Sequence, residues 1–298
     1  MDSPSVVIAE PSVRRGVVSA YFALTKPRII ELLLITTVPA MVLAAEGWPG
    51  WWPVLATLIG GSLSAGGANA MNNWFDRDID EVMRRTRRRP LPRHEIEPAA
   101  ALRFGIVLGV AGFAWLWAFT NILAALLSTA ALLFYVLVYT MGLKRRTAQN
   151  IVIGGAAGAV PPLVGWAAVT GEIGLPAWVL FALVFYWTPP HFWALALRFE
   201  DDYARARVPM LPVVRGTEQT LQSILLYSVT MVLLSLLLVP VGRMGWVYLV
   251  AAIGSGAWFL WSAWRVKREP ARAMKLFTDS TVYLAVLFAA VAVDVFVR

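Results

Sequence analysis

Residues 72–80 read NNWFDRDID, and they close an apolar run at about 52–73 that is long enough to cross a bilayer. A spanning helix needs about 20 mostly apolar residues. This run ends on three aspartates and two asparagines, side chains that are expensive at the rim of lipid unless they hold something. Continued as a helix at about 100° per residue, it places Asn72, Asp76 and Asp80 on one face, with Asn69 and Asn73 beside them, and turns Asp78 away.

Eight further stretches of the same kind lie at roughly 27–45, 99–119, 121–141, 150–169, 175–197, 219–240, 245–264 and 277–297. The chain of 298 residues is 59% hydrophobic and 15% charged, with a mean hydropathy of +0.66, which excludes a soluble core. Lipid offers the backbone no hydrogen-bond partner, and the runs lack the alternation of a barrel, so the spans are helices. The expected fold is all-α: a polytopic membrane protein with nine transmembrane helices in one domain over 1–298, its first twenty residues a mobile cytoplasmic tail. That tail carries Arg14 and Arg15 without a signal-peptide core. The chain has no cysteine, which excludes disulfides, thiolate metal sites and a cysteine nucleophile.

The net charge of +8 reflects topology rather than a nucleic-acid partner. In a nine-span arrangement every basic residue except Arg243 and Arg298 falls on one side. The positive-inside rule makes that side cytoplasmic, with the N-terminus there and the C-terminus outside. Two connections on that side echo each other: Asp80 is followed by Arg84, Arg87 and RPLP (89–92), and Asp201 by Arg205, Arg207 and PMLP (209–212). The copies lie an even number of spans apart and so face the same side, as in a parallel repeat with a pocket between its halves.

Asp76 and Asp80, one helical turn apart and supported by Asn72, suit Mg2+, which takes oxygen ligands and bridges to substrate phosphates. The second acid group, FEDDY at 199–203, offers Glu200, Asp201 and Asp202 to a second ion on the same diphosphate. The runs RRTRRRP (84–90) and LKRRT (143–147) supply the anion-binding side, with Arg84, Arg88, Lys144 and Arg145 as candidates. Metal, diphosphate and apolar span together describe ionisation of a lipid diphosphate to an allylic cation, which needs a dry pocket with aromatic faces. Tyr139, Tyr186 and Trp193 are placed for that. His191, in WTPPHFW (187–193), follows a double proline that interrupts helical hydrogen bonding, and is the candidate axial ligand should the acceptor contain iron. A solvated helix end, topological basic loops and a structural histidine are the plainer readings of the same residues. A cation transporter lined by Asp76 and Asp80 is the rival class, opposed by the adjacent Arg and Lys runs.

NNWFDRDID also resembles the NxxxDxxxD motif of the UbiA-type intramembrane prenyltransferases. LTKPRI (24–29), DRDIDEVMRRTRRRPLP (76–92), YTMGLKRRTAQNIVIGGAAGAVPPLVGW (139–166) and WTPPHFWALALRFEDDYARARVPMLPVVRG (187–216) are similar to the haem-farnesylating branch, haem O synthase. One departure stands out: where relatives carry DxxxD in the sixth span, Leu197 takes the first position and only Asp201 is kept. The resemblance implies helices around a central cavity in a bacterial cytoplasmic membrane, with cytoplasmic active-site loops. It implies Mg2+-dependent farnesyl transfer from farnesyl diphosphate to a vinyl group of haem b, with haem A synthase or terminal oxidase assembly proteins as partners. A quinone-precursor or chlorophyll acceptor is the nearest alternative. In residue terms it implies Asn72, Asp76 and Asp80 on the metal, Asp201 and Asp202 on a second ion, and Asp76, Asp80, Lys144 and Asp201 in catalysis. Asn73, Arg84, Arg88, Arg145, Tyr139, His191 and Trp193 complete the substrate contacts.

Overall fold

The apolar runs fold as helices, as lipid requires of them, and the breaks between them fall where polar residues, proline or glycine interrupt the pattern. The computed structural model describes residues 16–298, except for the side chains of 28, 29 and 31–34. The expected mobile tail therefore lies outside the described residues up to Arg15, and its last part is the short helix α1 (Val17–Leu24). Lys26, at φ 53° in the left-handed region, turns the chain into α2 (Pro27–Ala44), where Pro27 supplies a fixed φ at the first helical position.

Among the described residues eight helices are long and apolar enough to cross a membrane, against nine expected spans. The expected first span, 27–45, falls on α2, of which six side chains lie outside the described residues; its described apolar part is Ile35–Ala44. The remaining helices are α3 (Trp51–Phe75), α4 (Arg77–Val82), α5 (Pro98–Phe119), α6 (Ile122–Leu133), α7 (Asn150–Ala159), α8 (Pro161–Thr170), α9 (Leu175–Arg198), α10 (Glu200–Arg205), α11 (Leu211–Val241), α12 (Trp246–Arg268) and α13 (Ala273–Val297). α6 continues into a π-helical stretch, Phe134–Leu143, while α7 and α8 make one span jointed at Val160. α11 is interrupted at Gly216, whose φ of 76° only glycine adopts freely.

α9 runs unbroken through Pro189 and Pro190, which remove backbone donors without ending the helix. α9 is the most buried span, enclosed by α7, α11 and α13, whereas α5 is the least buried and turns Val107, Val110 and Trp117 outward to lipid.

The helices close a ring: α3 packs on α5, α5 on α6, α6 on α8, α8 on α2, α2 on α13, α13 on α9, α9 on α7, and α7 through the π-helical stretch back onto α3. α3 and α5 meet backbone to backbone, since a Cβ on Gly67 would lie 2.7 Å from the Gly105 carbonyl oxygen. Outside the ring α11 and α12 lean on α9 and α13 around Tyr248, Phe259, Tyr283 and Phe288, all fully buried. The end of α13 is pinned to the turn before α12, where Asp294 accepts from Gly245 N (2.6 Å) and Tyr248 N (2.9 Å).

Candidate active site

The polar face of α3 arrives where the ring opens. The helix breaks at Asp76 (φ −91°, ψ 3°), yet Asp76 N still bonds Asn72 O (3.0 Å) and Asp80 N bonds Asp76 O (2.8 Å). The one-turn spacing therefore survives the break, and Asn72, Asp76 and Asp80 are all buried. Asp78 turns outward, as its register requires, and receives both arms of the Arg145 guanidinium at 2.6 Å. That ion pair holds the Asp78 carboxyl below its usual range and raises Arg145.

Each buried carboxylate has a resident cation. Lys144 Nζ pairs with Asp76 Oδ2, and Arg89 Nη1 lies 2.7 Å from Asp80 Oδ2. Asn72 Nδ2 donates to Asp76 Oδ2 (2.7 Å) and to Thr140 Oγ1 (3.1 Å), while Asn72 Oδ1 accepts from Lys26 Nζ (2.6 Å). Burial, with Arg89 and Lys144 nearby, lowers the Lys26 pKa well below its ordinary value. Asp76 Oδ1 is buried and, among the described residues, accepts no hydrogen bond and has Arg145 at 3.9 Å. A bare buried carboxylate oxygen costs free energy unless something binds it.

These oxygens fit a hard divalent cation: two carboxylates and a carboxamide, with waters and phosphate oxygens left to complete the shell. Among the described residues no group of three or more His, Cys, Asp and Glu converges, so the protein supplies only part of such a shell.

Beneath the polar cap lies a cavity of about 330 Å3, within the ~300–1,000 Å3 of ligand clefts. Lys26, Asn72, Asp80, Arg85, Arg89 and Lys144 ring its mouth, and small residues of α3 and α7, including Gly61, Ala65, Ala68 and Gly158, make its depth. Tyr135 and Tyr139, stacked at 5.3 Å, face it, with Gly154 directly against the Tyr139 ring. The π-helical winding brings them there together with Lys144. Its wide turns, marked by the Lys144 N to Tyr139 O bond (2.8 Å), align Tyr135 with Lys144, which α-helical winding at about 100° per residue would set on opposite sides.

Several sequence-predicted residues lie elsewhere. Arg84, Arg85 and Arg88 are all exposed, but of these only Arg85 lines the cavity, together with the half-buried Arg89. Asp80, Arg84 and Arg88 would stack only if α4 continued, but Met83 is extended (ψ 125°) and shifts the register. Asn73 is spent on the Leu24 (3.1 Å) and Asn69 (2.8 Å) carbonyls, tying α1 to α3. Asp201 is exposed, and Asp202 is buried but held by Arg205 and, at 3.4 Å, by Arg85 N. His191 lies between the rings of Trp187 (4.3 Å) and Phe277 (4.1 Å), with Nδ1 2.7 Å from Ser280 Oγ. It is not among the cavity-lining residues, and neither is Trp193, which packs on Tyr227 at 5.2 Å. Lys26, Tyr135, Arg85 and Tyr203 were missed: the cations among them carry no local signal that separates them from their neighbours, and the tyrosines depend on winding and on the facing helix.

Residues 33–292 match the UbiA prenyltransferase family. The chain is 58% identical over 286 residues to protoheme IX farnesyltransferase 1 of Saccharopolyspora erythraea, covering 94% of this chain and 91% of that one. It is 52% identical over 291 residues to the protoheme IX farnesyltransferase of Gloeobacter violaceus, covering 96% and 95%. Among solved structures it resembles a digeranylgeranylglyceryl phosphate synthase (TM-score 0.78, 19% identity, 95% and 99% covered). It also resembles a UbiA homologue from Archaeoglobus fulgidus bound to DMAPP and Mg2+ (TM-score 0.60, 15% identity, 92% and 99% covered). At such identities the two structures speak for the fold.

Proposed function

The chain belongs to the UbiA prenyltransferase family, and from that premise we propose that it transfers the farnesyl group of farnesyl diphosphate to haem b, giving haem O and diphosphate. The observation that carries the reading is identity above half, over nearly the full length, to protoheme IX farnesyltransferases. The geometry supports it: a charged mouth of diphosphate-binding character opens onto an apolar cavity faced by two tyrosine rings.

A Mg2+ ion, when held by Asn72, Asp76 and Asp80, supplies charge that stabilises the departing diphosphate. Lys144, Arg89 and Lys26 stand around that place, where their ammonium and guanidinium groups meet phosphate oxygens. The allylic C–O bond breaks with its electron pair leaving on diphosphate. The farnesyl chain stays among the small residues of α3 and α7, and the faces of Tyr135 and Tyr139 stabilise its positive end while the closed depth excludes water. The vinyl group of haem supplies the electrons of the new C–C bond, which leaves a cation beside the porphyrin; water adds to it, keeps one hydrogen as the hydroxyl and loses the other as a proton to solvent. The test is direct: purified protein given farnesyl diphosphate, haem b and Mg2+ yields haem O by chromatography, and EDTA stops it. Transfer to a quinone precursor but not to haem would move the chain to another branch.

We place the mouth on the cytoplasmic side of a multi-pass bacterial membrane protein, where the basic residues lie. Lys26 sits at that mouth, and Arg298 bonds the Gly242 carbonyl (2.8 Å) at the turn before α12, an arrangement that supports a cytoplasmic N-terminus and an exterior C-terminus. With no native cysteine, Glu97→Cys labels with an impermeant thiol reagent from the cytoplasm and Glu172→Cys from outside. Labelling of both from one side would defeat this topology.

A further inference from the structure

The two echoing connections are built alike, in a register two residues away from the one that matched Asp80 with Asp201 in the sequence. After α3 the helix breaks at Asp76 and resumes as the six residues of α4, and after α9 it breaks at Phe199 and resumes as the six of α10. Counted from each break, Asp78 and Asp201 correspond and both are exposed, Ile79 and Asp202 correspond and both are buried, and Asp80 and Tyr203 correspond and both line the cavity. Agreement in burial at three successive places fixes the register better than helix ends alone. Where the first unit presents the carboxylates of Asp76 and Asp80, the second presents the rings of Phe199 and Tyr203. None of its own acids lines the cavity: Glu200 is half-buried, Asp201 exposed, and Asp202 occupied by Arg205.

A cation nonetheless stands at the second unit. The Arg85 guanidinium lies 5.6 Å from the Phe199 ring centroid and 5.9 Å from that of Tyr203, and Nη2 donates to Tyr203 Oη at 3.2 Å. It lines the same cavity as Asp80, Arg89 and Lys144, and among the described residues that bond to Tyr203 is its only side-chain hydrogen bond. Most of its five donors are therefore left for an anion. Aromatic faces hold a guanidinium well and a metal ion poorly.

We propose that Arg85, seated on Phe199 and Tyr203, takes the place of a second metal ion, so that the site binds diphosphate with one divalent cation at the Asp76–Asp80 unit and a fixed guanidinium at the other. The proposal rests on the diphosphate-binding reading of the site. The test counts Mn2+ retained by the purified full chain in detergent at saturating inorganic pyrophosphate, and measures pyrophosphate affinity separately by calorimetry at saturating Mn2+. The wild type retains one Mn2+ per chain, and Asp76→Asn retains none. Arg85→Ala keeps the single Mn2+ and loses at least about tenfold in pyrophosphate affinity, the scale of one charge-assisted hydrogen bond. Tyr203→Phe, which removes only the hydroxyl that orients the guanidinium, keeps the count and loses affinity by a smaller factor. Two Mn2+ per wild-type chain, or unchanged affinity in Arg85→Ala, would overturn the proposal. Mn2+ retained in full by Asp76→Asn would instead overturn the metal site itself, and the two failures are told apart by the count.

Discussion

Asp76 and His191 are both buried ionisable residues near the same end of a long membrane helix, and their surroundings are opposite. Asp76 closes α3 with cations from the π-helical stretch and its following loop around it, and keeps one oxygen without a hydrogen bond. His191 lies within α9 with both ring faces covered by Trp187 and Phe277 and Nδ1 engaged by Ser280. A buried polar group whose partners are all satisfied by packing holds two helices together. One whose partners are cationic side chains, and whose shell is incomplete, is prepared for a ligand. Polarity inside a membrane helix thus selects candidates, and the completeness of the surrounding shell divides them.

The sharpest way to break this contrast is Asp76→Asn. It keeps the volume and removes the charge that pairs with Lys144 and that the proposed metal ion would use, so farnesyl transfer falls by on the order of a thousandfold or more with little loss of stability. Activity within a few fold of wild type would put Asp76 in the same class as His191. The reciprocal experiment is His191→Ala, which empties the space between Trp187 and Phe277. It costs roughly 2–4 kcal/mol of stability in denaturation, while the transfer rate per folded molecule and the bound-haem absorption band stay near wild type. A displaced haem band at unchanged stability would show that the ring meets the acceptor after all.

Asp78 offers the mildest test, because it shares a short helix with Asp80 but faces solvent. Arg145 depresses its carboxyl pKa, so the ion pair contributes in full above about pH 4 and is lost as pH falls through the lower folded value. Exposure and salt screening limit that contribution to about 1 kcal/mol or less. Asp78→Asn should therefore trim acid-side stability slightly and leave transfer intact, and a large loss of transfer would show that Arg145 must be held by Asp78 to serve Asp76.

The sequence alone determined that the chain spans a membrane by helices, that Asn72, Asp76 and Asp80 share a face while Asp78 leaves it, and that the cations gather on one side. Each of these follows from composition or from one helical period, quantities that a neighbouring segment cannot change. It did not determine which cations line the site, because the extended Met83 ends the helical register and brings Arg85 and Arg89 to the cavity in place of Arg84 and Arg88. Nor could it align Tyr135, Tyr139 and Lys144, since the wider winding of 134–143 is settled by packing against α7 and α3. It also left His191 open, for the two rings and the hydroxyl that enclose it come partly from α13, far along the chain. Periodicity is local and legible in residue order, whereas which side chains meet is decided only when separate helices close around one space.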